Sequence, residues 1–224
     1  MISIKKRPDE PECLRVRRET VQLDGNTVSG ADWNTMTGDC KQVLRERLFG
    51  DQHGLCAYCQ SRLAGTFAPT TAEPELGMIV EHWEARAKAP HRTLDWDNLL
   101  GVCPGWVAVD REEHCDRARK NAELHTDPTR PGIGDIFRYH IDGTIHADSP
   151  HDLDIRTLNL KARRLNRNRR VVLDKLRKQL RQKPSLATVQ RLLDVAQQVD
   201  AEGRCKEYCG VAIYYLQKKE GQWS

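Results

Sequence analysis

Cys56-Ala-Tyr-Cys59, then Val80-Glu81-His82, then Trp96-Asp97-Asn98-Leu99-Leu100, then Cys103, then His114-Cys115-Asp116: these fragments follow one another within residues 56–120. Cys56 and Cys59 have the knuckle spacing with which two thiolates reach one tetrahedral zinc ion. Cys103 and Cys115 can supply the other two ligands. Eleven residues separate that second pair, so His114 or His53 can stand in for Cys115 as the fourth ligand. The alternative for the four thiols is buried free cysteine or a redox pair. A structural Zn²⁺ is expected, because a bound metal gives a small, loop-rich module folding free energy that its core does not supply.

Between the cysteine pairs, Met78-Ile-Val-Glu-His-Trp83 and the run from Trp96 to Val102 have the apolar, partly β-branched character of short strands. Residues from His114 to about Glu123 read as a helix. Strand, loop, strand, helix is the order of a ββα unit. Neighbouring strand positions face opposite ways, so Glu81 and His82 serve one site only if local twist brings them together. An acid beside a histidine is a weak signal alone. Its place between two halves of a zinc module gives it weight.

Working outward, Leu14-Arg-Val16 and Thr20-Val-Gln-Leu23 read as short strands in a proline- and charge-rich segment. From Asp32 to about Phe49 the apolar residues recur at helical steps, with Asp32 as a cap. Residues 60–77 read as a loop inside the metal module. Further on, Asp142-Gly143 between the runs 136–141 and 144–146 signals a hairpin. A long helix then starts at Asp154 or Thr157, with Leu158, Ala162, Leu165, Val172, Leu176 and Leu180 as its apolar stripe. Pro184-Ser185 ends it and caps a second helix to about Val199. A third runs from Cys205 to about Lys219. Cys205 and Cys209, on one face of that helix, are expected as core thiols, as are Cys13 and Cys40.

The 224 residues include 30% charged and 6% aromatic side chains, eight cysteines and a net charge of +4. The surface is therefore heavily charged and the core modest. Twelve Lys/Arg against one acid, Asp174, lie between Arg156 and Lys183, so the excess is concentrated. Such a block is either a solvated helix face or the footprint of an acidic partner. No apolar run reaches the ~18–20 residues that span a bilayer, so no membrane association is expected. The first residues carry no apolar leader, so a cytoplasmic protein is expected. In that compartment cysteines bind metal or stay free before they pair.

The order Cys-x2-Cys, Glu-His, Asn-Leu shortly before Cys, then Cys-Asp resembles the HNH endonucleases of the ββα-metal fold, over roughly residues 53–125. With Ile79-Val-Glu-His82, Leu94 to Leu100, Cys103-Pro and the downstream Leu158-Asn-Leu160, the chain more specifically resembles the HNH effector proteins of retron and Septu anti-phage systems. The resemblance implies an α+β, predominantly helical fold: a zinc-stapled ββα-metal module followed by a C-terminal helical bundle. The expected parts are 1–50 (N-terminal extension and helix), 51–130 (HNH/zinc module) and 131–224 (hairpin and helical region). It further implies His82 as general base, Glu81 and Asp116 as ligands of a catalytic Mg²⁺ or Mn²⁺, and Asn98 as the brace of the loop. Glu81 stands where the family more often has Asp, and Asp116 where many relatives have Asn or His. Arg117, Arg119 and Lys120 are candidate phosphate contacts. The implied activity is DNA cleavage within a defence complex containing an ATPase subunit, with a retron reverse transcriptase and its RNA–DNA product as further partners. Arg163, Arg164, Arg167, Arg169 and Arg170 would bind DNA or dock on the ATPase. The competing expectation is a non-catalytic zinc-ribbon adaptor, which needs the cysteines but not Glu81, His82 and Asp116 together.

Overall fold

The runs expected as N-terminal strands belong instead to one helix, α1 (Glu12–Leu23). Leu14 and Val21, seven residues apart, fall on one face and are buried, while Arg15 pairs with Glu12 and Glu19 along the outside at 3.6 and 2.9 Å. Packing of that face outweighs the β-branched residues that suggested strands. The structure, a computed structural model, describes residues 1–63, 77–105 and 112–222. The loop expected at 60–77 lies in large part outside them.

The single helix expected from Asp32 to Phe49 is two, α2 (Gly30–Thr35) and α3 (Gly38–Asp51), because each half carries its own cap. Ser29 and Asp32 form a reciprocal capping box, so Asp32 closes the first turn and Ser29 is the cap. Thr37 Oγ1 accepts the Cys40 amide at 3.2 Å and starts α3. Cys13 and Cys40, expected as ordinary thiols, form a disulfide joining α1 to α3. The two helices place their Cα atoms 5.8 Å apart, a separation that sequence spacing does not reveal.

The expected strand pair is present as β1 (Ile79–His82) and β2 (Leu99–Val102), antiparallel, with Glu81 opposite Leu100 and His82 opposite Leu99. Gln52, buried at the end of α3, ties this sheet to the knuckle. Its amide donates to the carbonyls of Leu55 (2.8 Å) and Gly101 (2.7 Å), and its oxygen accepts the Gly101 N–H. The helix expected from His114 to Glu123 is shorter, α4 (Asp116–Arg119). Lys120, at φ 55°, turns the chain out of the helix while the Arg119 guanidinium reaches inward.

The hairpin forms as β3 (Arg138–Tyr139) and β4 (Ile145–His146), its turn held by Asp142 Oδ1 accepting the Thr144 N–H at 2.9 Å. Gly143 is required there: its φ is 88°, and a Cβ would lie 2.0 Å from the Asn166 carbonyl. The long helix expected from Asp154 or Thr157 is interrupted, giving α5 (His151–Thr157) and α6 (Arg163–Gln182). The interruption has a tertiary cause: the Leu158 carbonyl accepts the Cys115 N–H at 2.9 Å, and Asn159 Nδ2 donates to the Glu113 carbonyl at 2.7 Å. The Leu158-Asn-Leu160 motif thus braces the second cysteine pair. Ser185 caps α7 (Leu186–Gln197) as expected, its hydroxyl accepting the Thr188 N–H. The last helix, α8 (Cys209–Glu220), starts later than expected because Tyr208 is left-handed at φ 55°.

Among the described residues there are eight α-helices and two small antiparallel sheets, an α+β architecture that is mainly helical. One large apolar cluster draws on residues from Met1 to Val211, so the three expected parts share a core. Leu176, Val189, Leu192, Ala196, Ala212 and Leu216 form a second cluster between α6, α7 and α8. Each fully buried leucine stabilises by about 1.5–3 kcal/mol before entropy is set against it. Arg169, expected on the basic face of α6, is buried and donates to the Leu160 carbonyl at 2.7 Å. Among the described residues no helix is long and apolar enough to cross a membrane.

Candidate metal centre and adjoining cleft

Four buried sulfurs converge: Cys56 and Cys59 from the knuckle, Cys103 after β2, and Cys115 before α4. All four Sγ atoms lie within 4.8 Å of one another. Cys56 and Cys115 are 3.9 Å apart, and Cys59 and Cys103 are 3.7 Å apart. A tetrahedron of thiolates with zinc–sulfur bonds of ~2.3 Å has edges of about 3.8 Å, so these donors fit zinc in number, type and spacing. Cys115 reaches the cluster at φ 55°, a conformation that costs a residue with a Cβ about 1–3 kcal/mol. Its amide bond to Leu158 and the close approach of Gly105 to His114 hold it there; a Cβ on Gly105 would meet the His114 carbonyl at 1.9 Å.

The choice between Cys115, His114 and His53 as fourth donor falls to Cys115. His114 Nδ1 lies 3.3 Å from Cys115 Sγ and 3.8 Å from Cys103 Sγ, beside the donor set as a hydrogen-bonding neighbour. Burial lowers its pKa. His53 is exposed and bonds the Gly203 carbonyl through Nδ1. Burial raises the Cys115 thiol well above the ordinary range. Cys59 goes the other way: against its own burial, bonds with Cys103, Cys115 and Cys56 hold it well below.

Next to the sulfurs lies a cleft of about 630 Å³, lined by Trp33 of α2, Glu81 and His82 of β1, Arg86, and Asp116 and Lys120 at the two ends of α4. Glu81 and His82 thus reach one cleft despite their adjacent strand positions. Burial and the neighbouring Asp116 carboxylate raise Glu81 to about 8, although Arg119 pulls it down. Asn98, fully buried, braces the β1–β2 connection. Its Oδ1 accepts the Glu84 N–H at 2.7 Å, and its Nδ2 donates to the carbonyls of Glu84 and Arg92, both at 3.1 Å. The next carbonyl, Thr93 O, accepts from His82 Nε2 at 3.0 Å. A carbonyl only accepts, so Nε2 carries the proton and Nδ1 is left as the ring's lone-pair nitrogen. Trp33 stands edge-on to the imidazole with ring centroids 4.8 Å apart. Burial pulls His82 down to about 4, and the ring is neutral at pH 7.

Arg119 does not face solvent as a phosphate contact. Its guanidinium is buried and donates to Tyr58 Oη (3.2 Å), Glu81 Oε1 and the carbonyls of His82, Trp83 and Ala122. It joins knuckle, strand and α4 at one point. Arg117 is exposed and pairs with Glu113 at 3.4 Å; Lys120 is exposed at the cleft. Arg119→Lys retains charge but loses the planar fork, and is expected to cost about 2–3 kcal/mol in a urea unfolding midpoint.

The His82 shift has a pH consequence. The folded value, about 4, lies below the ordinary 6.5, so the unfolded chain takes up the proton first as pH falls. His82 alone is expected to take about 3 kcal/mol from stability between about pH 6.5 and 4. Glu81, raised to about 8, works in the opposite direction down to about pH 4.5, so the His82 contribution is read as a difference from a variant. Against His82→Gln, the stability difference should narrow over that window; a constant difference from pH 7 to 4.5 would refute it.

Sequence spacing did not point to Trp33, Thr93, Arg86 or Tyr58. Trp33 and Arg86 come from segments with no chemical signature, and Thr93 contributes only its carbonyl. Tyr58 sits inside the knuckle, the one position where the motif itself was a clue. Among the described residues, the four cysteines are the only group of three or more His/Cys/Asp/Glu close enough to share an ion; Glu81, His82 and Asp116 form no such group. No protein-family model matches the chain, and no curated protein matches it.

Proposed function

We propose that the chain is a metal-dependent HNH-type DNA endonuclease, the nuclease subunit of an anti-phage complex with an ATPase partner. The observation that carries the proposal is the shared cleft of Glu81, His82 and Asp116 beside the four cysteines, with Asn98 bracing the loop behind it. In this reading His82 Nδ1 takes the proton of the attacking water, while Nε2–H stays on Thr93 O and keeps the ring oriented. A lowered imidazole pKa keeps that nitrogen unprotonated at neutral pH. Glu81 and Asp116, which both line the cleft, offer the carboxylate oxygens that a hard divalent cation takes. Bound there, Mg²⁺ or Mn²⁺ would neutralise charge on the scissile phosphate and stabilise the leaving oxygen. Lys120 at the cleft edge and Arg167 exposed on α6 are cations that a nucleic-acid backbone can meet, with Arg163 and Arg170 beside them paired to Glu112 and Asp174. The resemblance, not the surface, assigns the ATPase, the reverse transcriptase and its RNA–DNA product as partners.

One observation favours a second reading, a zinc-bearing adaptor without catalysis: Glu81 is bonded to buried Arg119, and His82 is only 6% exposed. Plasmid incubated with the zinc-loaded chain and Mg²⁺ or Mn²⁺, alone and with the proposed ATPase partner, separates the two. Nicking that disappears in Asp116→Ala supports the nuclease. Intact plasmid in every combination, with zinc retained, supports the adaptor.

A further inference from the structure

Cys205 and Cys209 lie on the far side of the knuckle from the cleft and take no part in the chemistry above. They pack against each other and against Leu55 in a small buried cluster. Left-handed Tyr208 turns the chain between them, so Cys209 opens α8 while Cys205 stays in the preceding loop. Several bonds hold this turn. Tyr208 N–H donates to the Gln60 carbonyl at 3.1 Å, Tyr208 Oη bonds Ser61 Oγ at 3.0 Å, and Cys205 N–H donates to the His53 carbonyl at 3.0 Å. Arg62 Nη2 reaches the Cys205 carbonyl at 2.9 Å and sets a fixed positive charge beside that residue. Cys209 lines an open groove of about 550 Å³ between α6, α7 and α8, and Cys205 keeps 7% of its surface exposed.

We propose that Cys205 and Cys209 form a two-electron redox site that is oxidised by hydroperoxides to an intramolecular disulfide. Cys209 beside it in the buried cluster lowers Cys205 to about 6, helped by His53 and Arg62, while Cys205 and burial raise Cys209. One thiolate and one thiol in contact are the two partners the chemistry needs. The Cys205 thiolate attacks the peroxide: an S–O bond forms, the O–O bond breaks, and the alkoxide or hydroxide leaves and is protonated by water. The Cys209 sulfur then attacks the Cys205 sulfenic acid, its proton leaving with the hydroxyl as water. The S–S bond forms, both sulfurs are oxidised, and the peroxide has been reduced to an alcohol, or to water, plus the second water.

Peptide mapping of the zinc-loaded chain under non-reducing conditions, after graded hydrogen peroxide, tests this. Trypsin cuts after Arg204, Lys206 and Lys218, so the disulfide joins the dipeptide 205–206 to the peptide 207–218. That linked product is expected before any zinc is released from the four-cysteine cluster, and reductant should reverse it. Cys209→Ser is expected to stop at a Cys205 sulfenic acid that dimedone traps. Cys205→Ser is expected to slow oxidation of Cys209 by at least about ten-fold. The zinc content of both variants reports whether they are folded. Zinc release that precedes the linked peptide overturns the proposal, as does sulfinic acid at Cys205 with Cys209 untouched, or equal reactivity of Cys209 in Cys205→Ser.

Discussion

Cys115→Ser is expected to lose the zinc ion and, with it, the ordered structure around β1, β2 and α4. The sulfur cluster is where the knuckle, the end of β2 and the start of α4 meet, and the strand pair between them is only four residues long on each side. Structural zinc sites in small domains supply about 10–16 kcal/mol of apparent binding free energy at neutral pH, more than a sheet of this size provides through its own contacts. Cys115 also carries a strained φ, which without its sulfur only the backbone contacts to Leu158 and around Gly105 would hold. The expected measurements are a fall from one zinc per chain to none, and amide exchange rising in residues 53–63, 99–105 and 112–120 while α7 and α8 stay protected. His114→Ala is the contrasting variant. Its ring lies beside the cluster at 3.3 Å from Cys115 Sγ, outside the donor set, so the zinc should remain. Loss of zinc from His114→Ala with full retention in Cys115→Ser would exchange the two assignments.

His82→Ala is expected to lower plasmid cleavage by about 10²–10⁴-fold with zinc content unchanged, the range that removal of a positioned general base costs. The ring makes one hydrogen bond, to Thr93 O, and one edge contact, to Trp33, so its removal should leave the metal centre standing. Asn98→Ala should behave differently. It deletes three bonds that fix the carbonyls and amide of the β1–β2 connection, and both activity and stability should fall. Cleavage by His82→Ala at the wild-type rate would remove the imidazole from the chemistry and leave the cysteine cluster as the chain's defining feature.

Much of the fold was legible because its signals are local. Ser185 before an apolar helical run, Asp142-Gly143 between two short runs, and Cys-x2-Cys each carry their meaning within a few residues, since a cap, a turn and a metal knuckle are made by neighbours in the chain. The same holds for the donor types of the centre and for the strand, loop, strand, helix order around Glu81 and His82. Two of the segments that were misread, α1 and the α5–α6 break, have the opposite property. The β-branched residues of α1 are overruled by a buried face that exists only once α3 is alongside. The break at Asn159 answers to Glu113 and Cys115 far along the chain, whereas the one at Met36 has a local cap, Thr37, that the apolar periodicity overran.

Arg119 shows the limit most clearly. On a helix after a metal ligand, an arginine next to Lys120 looks like a partner for phosphate, and nothing in its neighbourhood says otherwise. In the folded chain it turns inward, where Glu81 and the carbonyls of His82, Trp83 and Ala122 accept its hydrogen bonds. Residue types and short spacings were therefore enough to name the chemistry of the sulfurs and the order of the elements around them. Which sulfur completes the tetrahedron, which cation is buried and which cysteines pair were settled by contacts between residues far apart in the chain, whose partners spacing alone does not encode.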